Sequence, residues 1–183
     1  MRDLDVIHFC GFNGNIEKDL DLTNTRITHL PHNLKVGGFL GLRHTPLEEL
    51  PDNLEVGWSL MIEGARLTKL PKNLKVGTHL EIIDTPITEL PSDIDVGKYI
   101  NLEGTLITRL PDNLTVRNGM SLKNTPIKTL PKNLEVHGDL YLNDTMVEEL
   151  PPCLKVSRIL YLRGSKVPKA HYKPVGVADM FWV

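Results

Sequence analysis

The chain has 183 residues, of which 24% are charged, and a formal net charge of −2. That length suits one domain with one core. No run of eighteen apolar residues occurs, which excludes a membrane-crossing helix, and the start Met1-Arg2-Asp3-Leu4 lacks the apolar core of a signal peptide. Cytoplasmic residence is therefore expected.

Residues 1–15 precede any repeating pattern and are expected to cap one end of the molecule. From residue 16 to about 168 the chain repeats every twenty residues. Leu-Pro recurs at 30/31, 50/51, 70/71, 90/91, 110/111, 130/131 and 150/151 with no insertion or deletion. So strict a period makes each unit one identical turn of a stack. The single domain then spans 1–183, with seven to eight repeats and a second cap at 169–183.

Within one turn, Leu60 and Ile62 alternate with Ser59, Met61 and Glu63, the period-2 signature of a strand with one buried face. A shorter alternation, Leu74 then Val76, follows the Leu-Pro corner. Gly37, Gly57, Gly77 and Gly97 come next and are expected to provide tight turns into the following rung. A proline in every turn excludes long helices. Pro46, Pro86 and Pro126 in alternate rungs, with Glu63-Gly64 and Glu103-Gly104 between them, suggest a forty-residue duplication unit.

Two polar columns run through the repeats. Thr25, Thr45, Thr85, Thr105, Thr125 and Thr145 point inward, where a buried hydroxyl needs a partner, expected on the backbone of the neighbouring rung. Asn33, Asn53, Asn73, Asn113 and Asn133 follow Pro by two residues and suit a turn, bonding nearby backbone.

The pattern L-x-L-x-x-T-x-I-x-x-L-P-x-N-L resembles the leucine-rich repeat, in its shortest bacterial and phage variety, with Thr in place of the inward Asn. The resemblance implies a right-handed repeat solenoid, mainly β. One parallel sheet forms its ligand face, short extended or strand segments lie opposite, and there is little or no α-helix. It also implies a non-enzymatic protein-binding module, effector-like, from a bacterium or its phage. A host cytoplasm is the alternative location for a phage-encoded or exported chain.

In that family ligands meet the outward side chains of the stacked strands. The candidate partner-binding residues are accordingly Phe39, Arg43, His44, Met61, Glu63, His79, Glu81, Tyr99, Asn101, Glu103, Tyr141, Asn143, Tyr161 and Arg163. Exposed Phe39, Met61, Ile83, Tyr99, Tyr141, Ile159 and Tyr161 would exceed what solubility needs, and aromatic anchors are what interfaces use. A cross-strand ladder of Tyr141 and Tyr161 is the competing explanation. The outward columns hold Asp19, Asp21, Glu63, Glu81, Asp84, Glu103, Asp139 and Asp144 against Arg43, Lys123 and Arg163, a net charge of −5. Such a face would repel a phosphate backbone and suit a protein partner with a basic or mixed surface.

Lys155, Arg158, Arg163, Lys166, Lys169 and Lys173 make the C-terminal end basic. The tail Asp179 to Val183 is expected to fold over the last rung, with a docking peptide as the alternative. The stack itself is expected to be a monomer or an end-to-end dimer, and self-assembly is the competing function. Cys10 and Cys153 lie too many rungs apart for a disulfide, and no spacing suggests a metal or other cofactor. Glu63, Glu81 and Glu103 near His79 and Asp84 could form an acid/base or metal cluster. With no paired nucleophile and no enclosure from water, catalysis is not expected.

Overall fold

The computed structural model describes residues 14–170 and 172–182. Over these the chain is a parallel β-solenoid of about eight turns, and none of the described residues is helical. The N-terminal cap expected at 1–15 falls outside the described residues, apart from Gly14 and Asn15.

Each turn contributes two short strands. One series comprises β1 (Asn15–Ile16), β3 (Lys35–Val36), β5 (Glu55–Val56), β7 (Lys75–Val76) and β9 (Asp95–Val96), which pair in that order as a five-stranded sheet. The other series comprises β2 (Leu20–Asp21), β4 (Leu40–Gly41), β6 (Leu60–Glu63), β8 (His79–Ile83), β10 (Tyr99–Asn101), β12 (Met120–Ser121) and β14 (Leu140–Tyr141). It forms the long sheet, with every register offset by twenty residues: Leu40 pairs with Leu60, Leu80 with Ile100, Met120 with Leu140.

The first series resumes as β11 (Thr115–Val116) and β13 (Glu135–Val136), after a gap in which β9 and β11 do not pair. Both series then merge in β15 (Lys155–Tyr161), one continuous strand that joins β13 and β14. β16 (Val177–Phe181) pairs parallel with β15, returning after a bulge to the twenty-residue register at Ile159–Asp179, Leu160–Met180 and Tyr161–Phe181. The tail thus adds a rung. Val177 is buried against the core, and the Trp182 indole N–H donates to the Val167 carbonyl at 3.4 Å.

The core is the set of inward columns. Leu40, Leu42, Leu54, Leu60, Leu74 and Leu80 are fully buried, as are most of their equivalents in later rungs, Ile94 being half-buried; the Leu-Pro leucines from Leu50 onward are 4–7% exposed. Stacking supplies what one rung lacks, since each leucine is covered by leucines above and below.

Three details differ from expectation, each for a backbone reason. All the threonine hydroxyls of the column except that of Thr85 bond within their own rung: Thr45 Oγ1 donates to the Leu42 carbonyl at 2.9 Å, Thr105 to Leu102 at 2.7 Å and Thr145 to Leu142 at 2.8 Å, with Thr25 and Thr125 alike. The residue just before each threonine is left-handed, and this folds the hydroxyl back onto the carbonyl three residues earlier. The asparagines bond one another: Asn53 Nδ2 donates to Asn33 Oδ1 at 3.2 Å, Asn73 to Asn53 at 2.9 Å, and Asn133 to Asn113 at 2.9 Å. Asn33, Asn53, Asn73 and Asn113 hold φ between 55° and 60°, so their backbones take the turn while their side chains form the ladder.

The glycines at 37, 57, 77 and 97 are required by proximity and not by a left-handed turn. A β-carbon on Gly77 would lie 1.8 Å from the Gly57 carbonyl oxygen, and one on Gly97 1.8 Å from that of Gly77. The equivalent positions Arg117, His137 and Ser157 carry side chains, and the β9–β11 gap falls where the glycines end.

Candidate functional site

The outward face of the long sheet is the surface on which the sequence places its candidate ligand contacts. Strand alternation puts Met61, Glu81, Asn101, Tyr141 and Tyr161 in one column, and Phe39, His79 and Tyr99 in the column before it.

In the N-terminal half, Arg43 organises the face. Its guanidinium lies 3.2 Å from Glu81 and 3.7 Å from Glu63, and its Nη2 approaches the Met61 sulfur at 3.5 Å. Two of the three glutamates of the candidate acid cluster are therefore bound to one cation. Among the described residues no group of three or more His, Cys, Asp or Glu side chains is placed to hold a metal ion. His79 sits in a small polar triangle, its Nδ1 at 3.0 Å from the Thr78 hydroxyl and 3.4 Å from that of Ser59, with those hydroxyls 3.0 Å apart. The half-buried Phe39 is fixed through its N–H, which donates to Asp19 Oδ1 at 2.9 Å.

The middle of the face is held by local bonds. Asn101 Oδ1 accepts the Glu103 N–H at 3.1 Å, a short turn within one rung, and leaves Glu103 half-buried beside it. Asp21 does the same for the Thr23 N–H at 3.0 Å. Hydrogen bonds from the Thr23 hydroxyl and N–H hold its carboxyl below the ordinary value. Burial pushes the Tyr99 phenol up to about 12, with Tyr141 and the carboxylates of Glu103 and Glu81 adding to the effect.

The C-terminal half is aromatic. The Tyr141 and Tyr161 rings stack with centroids 4.6 Å apart and planes 2° apart, and Phe181 meets Tyr161 edge-on at 6.3 Å. Lys123 Nζ lies 4.8 Å from the Tyr141 ring centroid, a cation–π contact. His79 and Tyr99 form a looser tilted pair at 6.3 Å. The ladder is thus real, and it extends one rung further than the sequence indicated, through Phe181.

Several expectations for this face need correction. Asn143 is buried at 9% exposure with its Oδ1 unpartnered, so it is no exposed contact; its column neighbours Lys123 and Arg163 are longer side chains. His44 is exposed, but its column is governed by the backbone. Asn24, His44, Gly64, Asp84, Gly104, Asn124, Asp144 and Gly164 all have φ between 50° and 72°. A left-handed residue in every rung selects Gly, Asn, Asp and His for conformation, so this column does not vary freely. The apolar side chains expected to be exposed, Phe39, Met61, Ile83, Tyr99, Tyr141, Ile159 and Tyr161, are each half-buried by their neighbours along the stack.

The most exposed large aromatic of the repeats is Trp58, at 66%. It lies at the corner between the two strand series and was not among the candidates. Its signal is visible in retrospect, as the one aromatic in a column of Lys18, Gly38, Thr78, Lys98, Asn118, Gly138 and Arg158.

Charge is also distributed unevenly along the face. Through Glu103 the outward columns carry Asp19, Asp21, Glu63, Glu81, Asp84 and Glu103 against Arg43, which is the whole excess of −5. Beyond it Asp139 and Asp144 are matched by Lys123 and the exposed Arg163, with Arg158 at the margin 3.6 Å from Asp139. Cys153 is an exposed free thiol, and Cys10 lies outside the described residues. No family model matches the chain, and no curated protein matches it.

Proposed function

We propose that the chain is a non-enzymatic protein-binding module that presents the long-sheet face to a partner protein. The observation that carries this reading is the contrast between columns. The inward positions repeat almost unchanged for packing, whereas the outward ones differ from rung to rung and place aromatic side chains among unlike charges. Half-buried aromatics framed by polar groups suit a desolvated interface centre with a polar rim. The partner's surface is mixed, with basic groups against the acidic rungs through Glu103 and neutral or acidic groups against Lys123, Arg158 and Arg163. The likeness to short leucine-rich repeats supports the same use, together with a bacterial or phage source and cytoplasmic residence.

The test is quantitative capture from candidate host extracts, with wild type compared against Tyr141→Ser/Tyr161→Ser, Arg43→Ala, and a back-sheet control, Lys75→Ala. Loss of the same partner with the face variants alone, at unchanged fold by circular dichroism, supports the proposal. Loss that tracks unfolding, or that follows the back-sheet variant, overturns it.

A further inference from the structure

Among the described residues β16 pairs on one side only, with β15, and two charged side chains sit on its other edge. The Leu162 N–H donates to the Phe181 carbonyl at 2.7 Å, so that carbonyl faces β15. Along a parallel strand the N–H and C=O of one residue point to one side and those of the next to the other. The Met180 N–H and C=O therefore point away from the stack, and so does the Ala178 carbonyl, whereas beyond the bulge the Val156–Val177 pairing turns the Ala178 N–H inward. A row of such groups is a template for another strand.

Here the row is occupied. Lys173 Nζ donates to the Ala178 carbonyl at 3.0 Å, and the Met180 N–H donates to Asp179 Oδ1 at 2.8 Å. Any incoming strand has to displace both. The apolar side chains nearby would otherwise favour addition: Phe181 is 48% exposed at the end of the Tyr141–Tyr161 stack, and Val175 is 98% exposed.

We infer that Lys173 and Asp179 are edge guards that stop a second copy of this chain from adding its own β16 to the end of the stack. A second copy is the occupant the geometry favours, because two β16 strands meeting antiparallel about a two-fold axis make a closed contact. The register in which the Ala178 carbonyl of each copy accepts the Met180 N–H of the other is centred on Asp179. It sets the two Asp179 carboxylates directly opposite each other, and like charges so placed are destabilising. Asp179 thus opposes pairing twice, by holding the Met180 N–H and by repelling its counterpart. Lys173 blocks the adjoining acceptor. The guard is independent of the reading of the strand face.

The experiment uses the full chain carrying Lys173→Met and Asp179→Val, compared with wild type by light scattering over a concentration series. Wild type is expected to stay monomeric. The double variant is expected to double its mass as concentration rises, with an unchanged circular dichroism spectrum. Adding Met180→Pro, which deletes the outward N–H that the pairing uses, is expected to restore the monomer. A folded double variant that stays monomeric overturns the inference, as does a dimer that Met180→Pro leaves intact. If the double variant does not fold, Lys173→Ala with Asp179→Ala carries the same test with the same two outcomes.

Discussion

The Tyr99 ring lies across the bare α-carbon of Gly119: a β-carbon built there would sit 3.1 Å from Tyr99 Cε2 and 3.2 Å from Cδ2. The missing side chain on one rung is the seat for the ring of the rung before, and this is what half-buries Tyr99 on an open sheet.

A pH dependence follows. The Tyr99 phenol is raised from 10.0 to about 12. The unfolded chain releases this proton near its ordinary value, while the folded chain holds it until about 12. The stabilisation is therefore complete below pH 10 and is lost as pH rises towards 12. Urea melts across that window are expected to fall more steeply for wild type than for Tyr99→Phe. Gly119→Ala lifts the ring into solvent, and phenolate absorbance is expected to show Tyr99 titrating nearer 10.

The glycine column makes a sharper stability prediction. Gly77→Ala places a methyl carbon 1.8 Å from the Gly57 carbonyl oxygen, and neither backbone is free to move without breaking the rung bonds on either side. A loss of about 3 kcal/mol is expected, at the upper end for overpacking. Ser157→Gly, at the same place in a rung that already accepts a side chain, is expected to change stability by less than about 1 kcal/mol. Chemical denaturation of the two variants checks the pair.

The threonine column separates a bonded hydroxyl from an idle one. Thr105 Oγ1 donates to Leu102 at 2.7 Å, whereas the buried Thr85 Oγ1 has no partner. Thr105→Val leaves a hydrogen bond unmade and is expected to cost about 1–2 kcal/mol. Thr85→Val replaces an unsatisfied hydroxyl by a methyl and is expected to be neutral or stabilising. A reversed order of thermal midpoints would contradict this account.

Asn53 combines a left-handed backbone, φ 60°, with two ladder bonds. Asn53→Gly keeps the conformation and loses the ladder. Asn53→Ala loses both, and is expected to be the worse by about 1 kcal/mol. Equal losses in the two variants would mean that the ladder carries the whole effect and the backbone none.

What the sequence by itself determined is the stack: a fixed period with prolines leaves only parallel rungs, and period-2 alternation names Leu60, Ile62, Leu74 and Val76 as core. Their burial depends on local pattern, which one rung already contains. The tertiary structure decided which of the remaining columns are free. Gly77 is fixed by a carbonyl twenty residues away, Asn143 is buried among longer neighbours, and β16 returns to register although the Leu-Pro signature is gone. These depend on distances between rungs, which no single repeat records. The left-handed column lies between the two cases. Its mixture of Asn, His, Gly and Asp looked like variation, yet it is the set of residues that tolerate one dihedral angle, so the constraint was written in conformation and not in chemistry.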